Sequence, residues 1–153
     1  MNRHKDFWQV TEDSLDKSMK TYEIDSSMRN ELLNLYKILS PFKEVPEVLK
    51  SLKDKNLKLA VLSNGTPSLL NELVYSNNLE NIFDDIFSIE EVGVYKPDSK
   101  VYDIPIKKYN IKKNEVAFLS ANTWDISGGG NYGYNSIWAV SYTHLTLPTN
   151  REV

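Results

Sequence analysis

Three short polar segments, each following an apolar stretch, hold the groups in this chain that can do chemistry. Leu62-Ser63-Asn64-Gly65 carries a hydroxyl and an amide. Tyr95-Lys96-Pro97-Asp98 carries an ammonium, and Leu119-Ser120-Ala121-Asn122-Thr123-Trp124-Asp125 a hydroxyl, an amide, an indole N–H and a carboxylate. In an open α/β sheet, loops at the carboxyl ends of parallel strands converge on one crevice. No strand-borne carboxylate nucleophile accompanies them in this sequence.

Each segment also has a plainer reading. Ser63-Asn64-Gly65 leaves a strand and opens a helix, where backbone N–H groups favour an anion. The same residues suit a simple N-cap with a turn glycine. Lys96 precedes Pro97, which disfavours helical backbone at the lysine. Beside a carboxylate at about 4 Å and an effective dielectric near 20, such a lysine is worth roughly 4 kcal/mol; otherwise it is a solvated surface residue. Asn122 and Trp124 are donors suited to an anion such as a halide, and Asp125 can orient a water or the lysine. The plainer alternatives are a core Trp124 and a capping Asp125. Magnesium sites usually gather several oxygens, carboxylates included, so the neutral Asn122 argues against a strong metal site.

Composition narrows the classes. The 153 residues suffice for one domain with a core, and 41% hydrophobic with 25% charged residues is ordinary for a soluble globular protein. A net charge of -3 provides no basic footprint for nucleic acid. No apolar run approaches a membrane span, and the first residues lack the apolar core of a signal peptide, so a cytoplasmic location is expected. Cysteine is absent, which removes disulfides and thiolate catalysis. The only histidines, His4 and His144, lie away from the three loops, which argues against a Ser-His-Asp triad.

The elements that must position these loops follow from periodicity. A helix is expected from a capping-box-like Thr11-Glu12-Asp13-Ser14 through Leu15, Met19 and Tyr22. A second carries Met28, Leu32, Leu35, Tyr36 and Leu39 and stops before Pro41; a third runs from Val45 to Leu52 with Pro46 near its start. Beyond Lys55-Asn56 strands alternate with helices. Strands are expected at 57–62, 86–89, 116–119 and from 136, and helices at 67–76, 99–109 and 124–132. Pro105 should kink the second of these helices, and Gly128-Gly129-Gly130 should weaken the third. This alternation argues a parallel, Rossmann-like α/β sheet.

The order and spacing of these loops resemble the L-2-haloacid dehalogenase branch of the haloacid dehalogenase-like hydrolases. The likeness runs from Met1 to Trp138. Its most specific segments are Phe42-Lys43-Glu44-Val45-Pro46, Leu62-Ser63-Asn64-Gly65, Val94-Tyr95-Lys96-Pro97-Asp98 with Val101-Tyr102, and Ser120-Ala121-Asn122-Thr123-Trp124-Asp125. Asp6-Phe7 and Val10-Thr11-Glu12-Asp13 are similar to the family's helical cap. The resemblance implies a partial α-helical cap at 1–41, a partial α/β core at 42–138 and a tail at 139–153. That tail is similar to translated sequencing adaptor and is expected to be non-native.

What the resemblance implies for chemistry is specific. Halide leaves C2 of a short L-2-haloalkanoic acid under attack by an aspartate, and water then hydrolyses the ester to a 2-hydroxy acid, without metal or organic cofactor. By that pattern Ser63 and Asn64 bind the substrate carboxylate, Lys96 balances the nucleophile's charge, and Tyr102 supports the lysine. Ser120 and Asn122 hydrogen-bond near the reacting carboxylate, Asp125 helps place the water, and Phe7 and Trp124 line the apolar pocket. Intact relatives often pair as homodimers through cap-side helices. The family's nucleophile, in an Asp-x-x-x-Thr motif on a central first strand, and its halide-receiving arginine have no counterpart here. Asp6, Asp13 and Asp16 fall on cap helices or their flanks.

A truncated, inactive fragment is therefore expected. With its central strand missing, two apolar strand edges stay unpaired, and the chain should be poorly soluble or partly molten. The alternatives are a phosphatase of the same superfamily, which would carry paired aspartates and Mg²⁺ where Asn122-Thr123-Trp124-Asp125 stands, and a non-catalytic binding domain.

Overall fold

The computed structural model describes residues 5–140. His4, His144 and all but the first two residues of the expected tail lie outside them. The backbone divides into two compact units, one up to Tyr95 and one from Lys96. Among the described residues, no helix is long and apolar enough to cross a membrane.

The first unit opens with α1 (Phe7–Thr21), α2 (Arg29–Leu35) and α3 (Val45–Asp54). The cap of α1 is Asp6, whose carboxylate accepts the Gln9 N–H at 2.8 Å. Thr11 is no cap: it lies buried inside the helix, its hydroxyl donating to the Phe7 carbonyl at 2.8 Å. An aspartate at the cap position adds charge that suits the positive end of the helix, so it wins over a threonine further on. Helix α2 ends before Leu39 because Tyr36, Lys37 and Ile38 donate to carbonyls three residues back, which tightens the last turn.

In the same unit β1 (Ala60–Ser63), α4 (Pro67–Ser76) and β2 (Asp85–Ser88) form a parallel βαβ unit, with Ala60 opposite Asp85 and Ser63 opposite Ser88. Strand β1 begins later than Leu57, which is exposed and donates to the Leu52 carbonyl closing α3. The register is set at its lower end. Asp84 accepts the Leu59 N–H at 2.8 Å, donates its own N–H to the Leu59 carbonyl at 2.7 Å, and takes the Lys53 ammonium at 2.7 Å.

The second unit holds α5 (Ser99–Tyr109), β3 (Ala117–Ser120), α6 (Thr123–Tyr132) and β4 (Asn135–Trp138). It is again parallel, with Ala117 opposite Asn135 and Ser120 opposite Trp138. Helix α5 runs through Pro105 to Tyr109, and α6 keeps its three glycines for the full span. Packing outweighs propensity there: a Cβ on Gly129 would stand 2.7 Å from the Phe118 ring. Beneath α6 lies an aromatic core, with Tyr102 fully buried and the rings of Phe118, Tyr132 and Tyr134 between 5.7 and 5.9 Å from it. Leu119 and Ile137 sit opposite each other in the β3–β4 register, and both are exposed. The strands thus form two two-stranded parallel sheets, and no ladder joins them among the described residues.

Candidate functional site

Asp125 is the centre of the second unit's chemistry. It is the third residue of α6, where the helix N-terminus favours a negative charge. Its Oδ2 accepts the Lys96 ammonium at 3.0 Å, and its Oδ1 accepts the Tyr102 hydroxyl at 2.8 Å. The side chains of Lys96 and Asp125 are each only 6% exposed. The solvated-lysine and plain-cap readings of these two residues therefore give way to a buried ion pair.

Electrostatics follow from that burial. At 3.0 Å the pair attracts by about 5.5 kcal/mol at an effective dielectric near 20, before the cost of desolvation. Burial pulls the Lys96 ammonium below its ordinary range, and the Asp125 hydrogen bond and charge restore part of the loss. Burial, with the carboxylate beside it, pushes the Tyr102 phenol well above its ordinary range. Tyr102 is therefore a standing donor to Asp125. Lys96 also lies 5.0 Å from the centre of the Phe118 ring, a cation–π contact.

The loop after β3 completes this unit. Ser120 Oγ accepts the Asn122 N–H at 3.2 Å, which shapes the turn into α6. Asn122 occupies the cap position without a side-chain cap bond and is exposed. Trp124 is 47% exposed, so it is not a core residue. With Pro97, Ser99, Lys113, Asn131 and Tyr132 among its neighbours, it lines a cleft of about 650 Å³.

In the first unit Ser63 ends β1 and its Oγ accepts the Gly65 N–H at 3.0 Å, which leaves the hydroxyl hydrogen to donate. The cap of α4 is Thr66, so Ser63 and Asn64 stand before the helix rather than capping it. Phe7 opens α1 and is half-buried. Ser88, which no motif marks, also belongs to this turn. It is 3% exposed, and its hydroxyl donates to the Gly65 carbonyl at 2.7 Å, so it holds the Ser63–Gly65 turn from the neighbouring strand. The only trace in the sequence is a serine closing an apolar run.

Residues 3–139 match the model of a family described as haloacid dehalogenase-like hydrolase. The chain is 37% identical to an (S)-2-haloacid dehalogenase of Pseudomonas sp. (strain YL) over 140 residues, 90% of this chain and 60% of that protein. It is 32% identical to (S)-2-haloacid dehalogenase 4A of Burkholderia cepacia over 139 residues, again 90% of this chain and 60% of that one. Among solved structures it is similar to an L-2-haloacid dehalogenase from Xanthobacter autotrophicus with chloropropionic acid covalently bound. There the TM-score is 0.84 and the identity 30%, covering 93% of this chain and 58% of that one. The chain thus spans about 60% of the length of these curated relatives.

Proposed function

We propose, on the premise that this chain belongs to the haloacid dehalogenase-like hydrolase family, that it carries the supporting half of a site that displaces halide from short L-2-haloalkanoic acids. The product is a 2-hydroxy acid. The observation that carries this reading is the buried Lys96–Asp125–Tyr102 cluster.

The chemistry runs in two displacements. A carboxylate oxygen attacks C2, and the carbon–halogen bond breaks with its electron pair going to the departing halide. Water then attacks the carbonyl carbon of the aspartyl ester, and the 2-hydroxy acid leaves. A buried ammonium at Lys96 balances negative charge where the nucleophile and the anionic substrate meet. Asp125 has two oxygens with about four acceptor positions between them. It can hold Lys96 and Tyr102 and still orient a water. Ser120 and Asn122 serve the reacting carboxylate, Ser63 and Asn64 the substrate carboxylate, and Phe7 and Trp124 its carbon skeleton. No step calls on a metal or an organic cofactor. The helices to residue 41 form the cap and residues 42–138 the α/β core.

Among the described residues no strand ends in aspartate: β1, β2 and β3 each end in serine and β4 in Trp138. We take the attacking carboxylate to be missing from these residues, and on that reading the 153-residue chain releases no halide by itself. Halide release from L-2-chloropropionate tests this. The chain alone should give none. The chain preceded by the N-terminal segment of the Pseudomonas sp. (strain YL) relative should give it, and Lys96→Met should abolish it. Release by the chain alone refutes the missing-nucleophile part. Magnesium-dependent phosphate-ester hydrolysis by the extended chain, without dehalogenation, refutes the whole reading.

A further inference from the structure

We infer that Gly128 is a positioning residue, whose missing side chain is what lets Tyr102 and Lys96 reach Asp125. The inference rests on the reading of that cluster as part of the hydrolytic site. Gly128 lies one helical turn beyond Asp125 on α6, in ordinary right-handed helical backbone. Its conformation does not call for glycine, and in a helix interior glycine costs about 1 kcal/mol relative to alanine. Space is the reason. A Cβ built on Gly128 would stand 2.4 Å from the Tyr102 hydroxyl oxygen, 3.1 Å from its Cζ and 2.8 Å from the Pro97 Cβ.

Those neighbours are the two arms that hold Asp125. The Tyr102 hydroxyl is the donor to Oδ1. Pro97 is bonded to Lys96, the donor to Oδ2. One added methyl group would press on the first directly and on the second through its neighbour. Tyr102 cannot withdraw, because its ring is enclosed by Phe118, Tyr132 and Tyr134 and its carbonyl accepts the Tyr134 hydroxyl. Gly130 is the internal control. It shares the helix, yet a Cβ there would meet only Ser136, at 3.7 Å and beyond.

The test uses the full chain labelled with ¹³C at tyrosine Cζ, the Tyr102 signal being assigned by its loss in Tyr102→Phe. In the unsubstituted chain Tyr102 stays protonated well above the ordinary tyrosine value of 10.0, because burial and the Asp125 carboxylate disfavour its phenolate. Gly128→Ala should lower its titration by about one pH unit or more, as the hydroxyl is driven from its buried place on the carboxylate, and Gly130→Ala should not move it. Amide exchange along α6 should quicken at least about tenfold in Gly128→Ala. The double variant Gly128→Ala/Tyr102→Phe should recover part of that loss, because phenylalanine lacks the oxygen that the methyl strikes. An unmoved Tyr102 titration in Gly128→Ala, or no relief from Tyr102→Phe, overturns the inference. Halide release by the extended chain is the separate arm. A moved titration with no haloacid turnover in any form leaves the positioning intact and removes the enzymatic reading. Full turnover in Gly128→Ala with Tyr102 unmoved removes the positioning alone.

Discussion

Replacing Asp125 by asparagine keeps the shape of the side chain and removes its charge from a site where Lys96 Nζ lies 3.0 Å away and both side chains are 6% exposed. Breaking a buried ion pair from one side costs about 3–5 kcal/mol, because the remaining charge keeps its desolvation penalty. An independent bound agrees. Lys96 can instead give up its proton, and from an ordinary value of 10.5 this costs about 5 kcal/mol at pH 7 and about 2 kcal/mol at pH 9. The readout is amide hydrogen exchange in the first turn of α6, which reports opening of that turn whether or not the whole chain unfolds in one step. Exchange in Asp125→Asn at pH 7 should be roughly a hundred- to several-thousand-fold faster, and after correction for intrinsic rates the effect should shrink at pH 9. Adding Lys96→Met should recover more than half of it on a logarithmic scale, since the buried ammonium is then gone. A change below tenfold at pH 7, or no relief from Lys96→Met, refutes the account of the pair.

The remaining expectations are more local. Ser88→Ala removes the buried donor to the Gly65 carbonyl and should cost about 1–3 kcal/mol, read as faster exchange of the amides at 65–69; unchanged exchange there would show that the turn holds itself. Gly130→Ala should stabilise the chain by up to about 1 kcal/mol, because its Cβ meets only ordinary contacts; a lower denaturation midpoint counts against the packing described for α6. Lys96 titrates below its ordinary 10.5 in the fold, so the unfolded chain binds more protons between the two values and stability rises with pH across that window. Above the ordinary 10.0 of tyrosine the trend reverses, because Tyr102 and Tyr134 are held protonated only in the fold; Lys96→Met should erase the rising limb alone. Leu119→Thr with Ile137→Thr should reduce concentration-dependent light scattering, since these neighbours present an exposed apolar patch; unchanged scattering places the sticky surface elsewhere.

Local chemistry made much of this protein legible in one dimension. The strand–loop–helix order is written in apolar runs and in Pro and Gly punctuation, and α4 and α5 span the ranges expected from it, 67–76 and 99–109. The loop residues that could do chemistry are recognisable because their types and their place after strands are properties of short segments. Element extents differ where a neighbouring backbone competes: Asp6 rather than Thr11 caps α1, and Leu57 closes α3 instead of opening β1. Partnership between these groups is a product of folding. Lys96 and Asp125 lie 29 residues apart and Tyr102 and Asp125 lie 23 apart, separations at which no periodicity links side chains. Ser88 holding Gly65 and Gly128 making room for Tyr102 follow from packing at close range, which depends on atoms brought together from distant parts of the chain. Residue types limit which groups this site can use; folding selects which of them meet, because contact distance and burial are set by three-dimensional packing and are what turn a lysine, a tyrosine and an aspartate into one buried cluster.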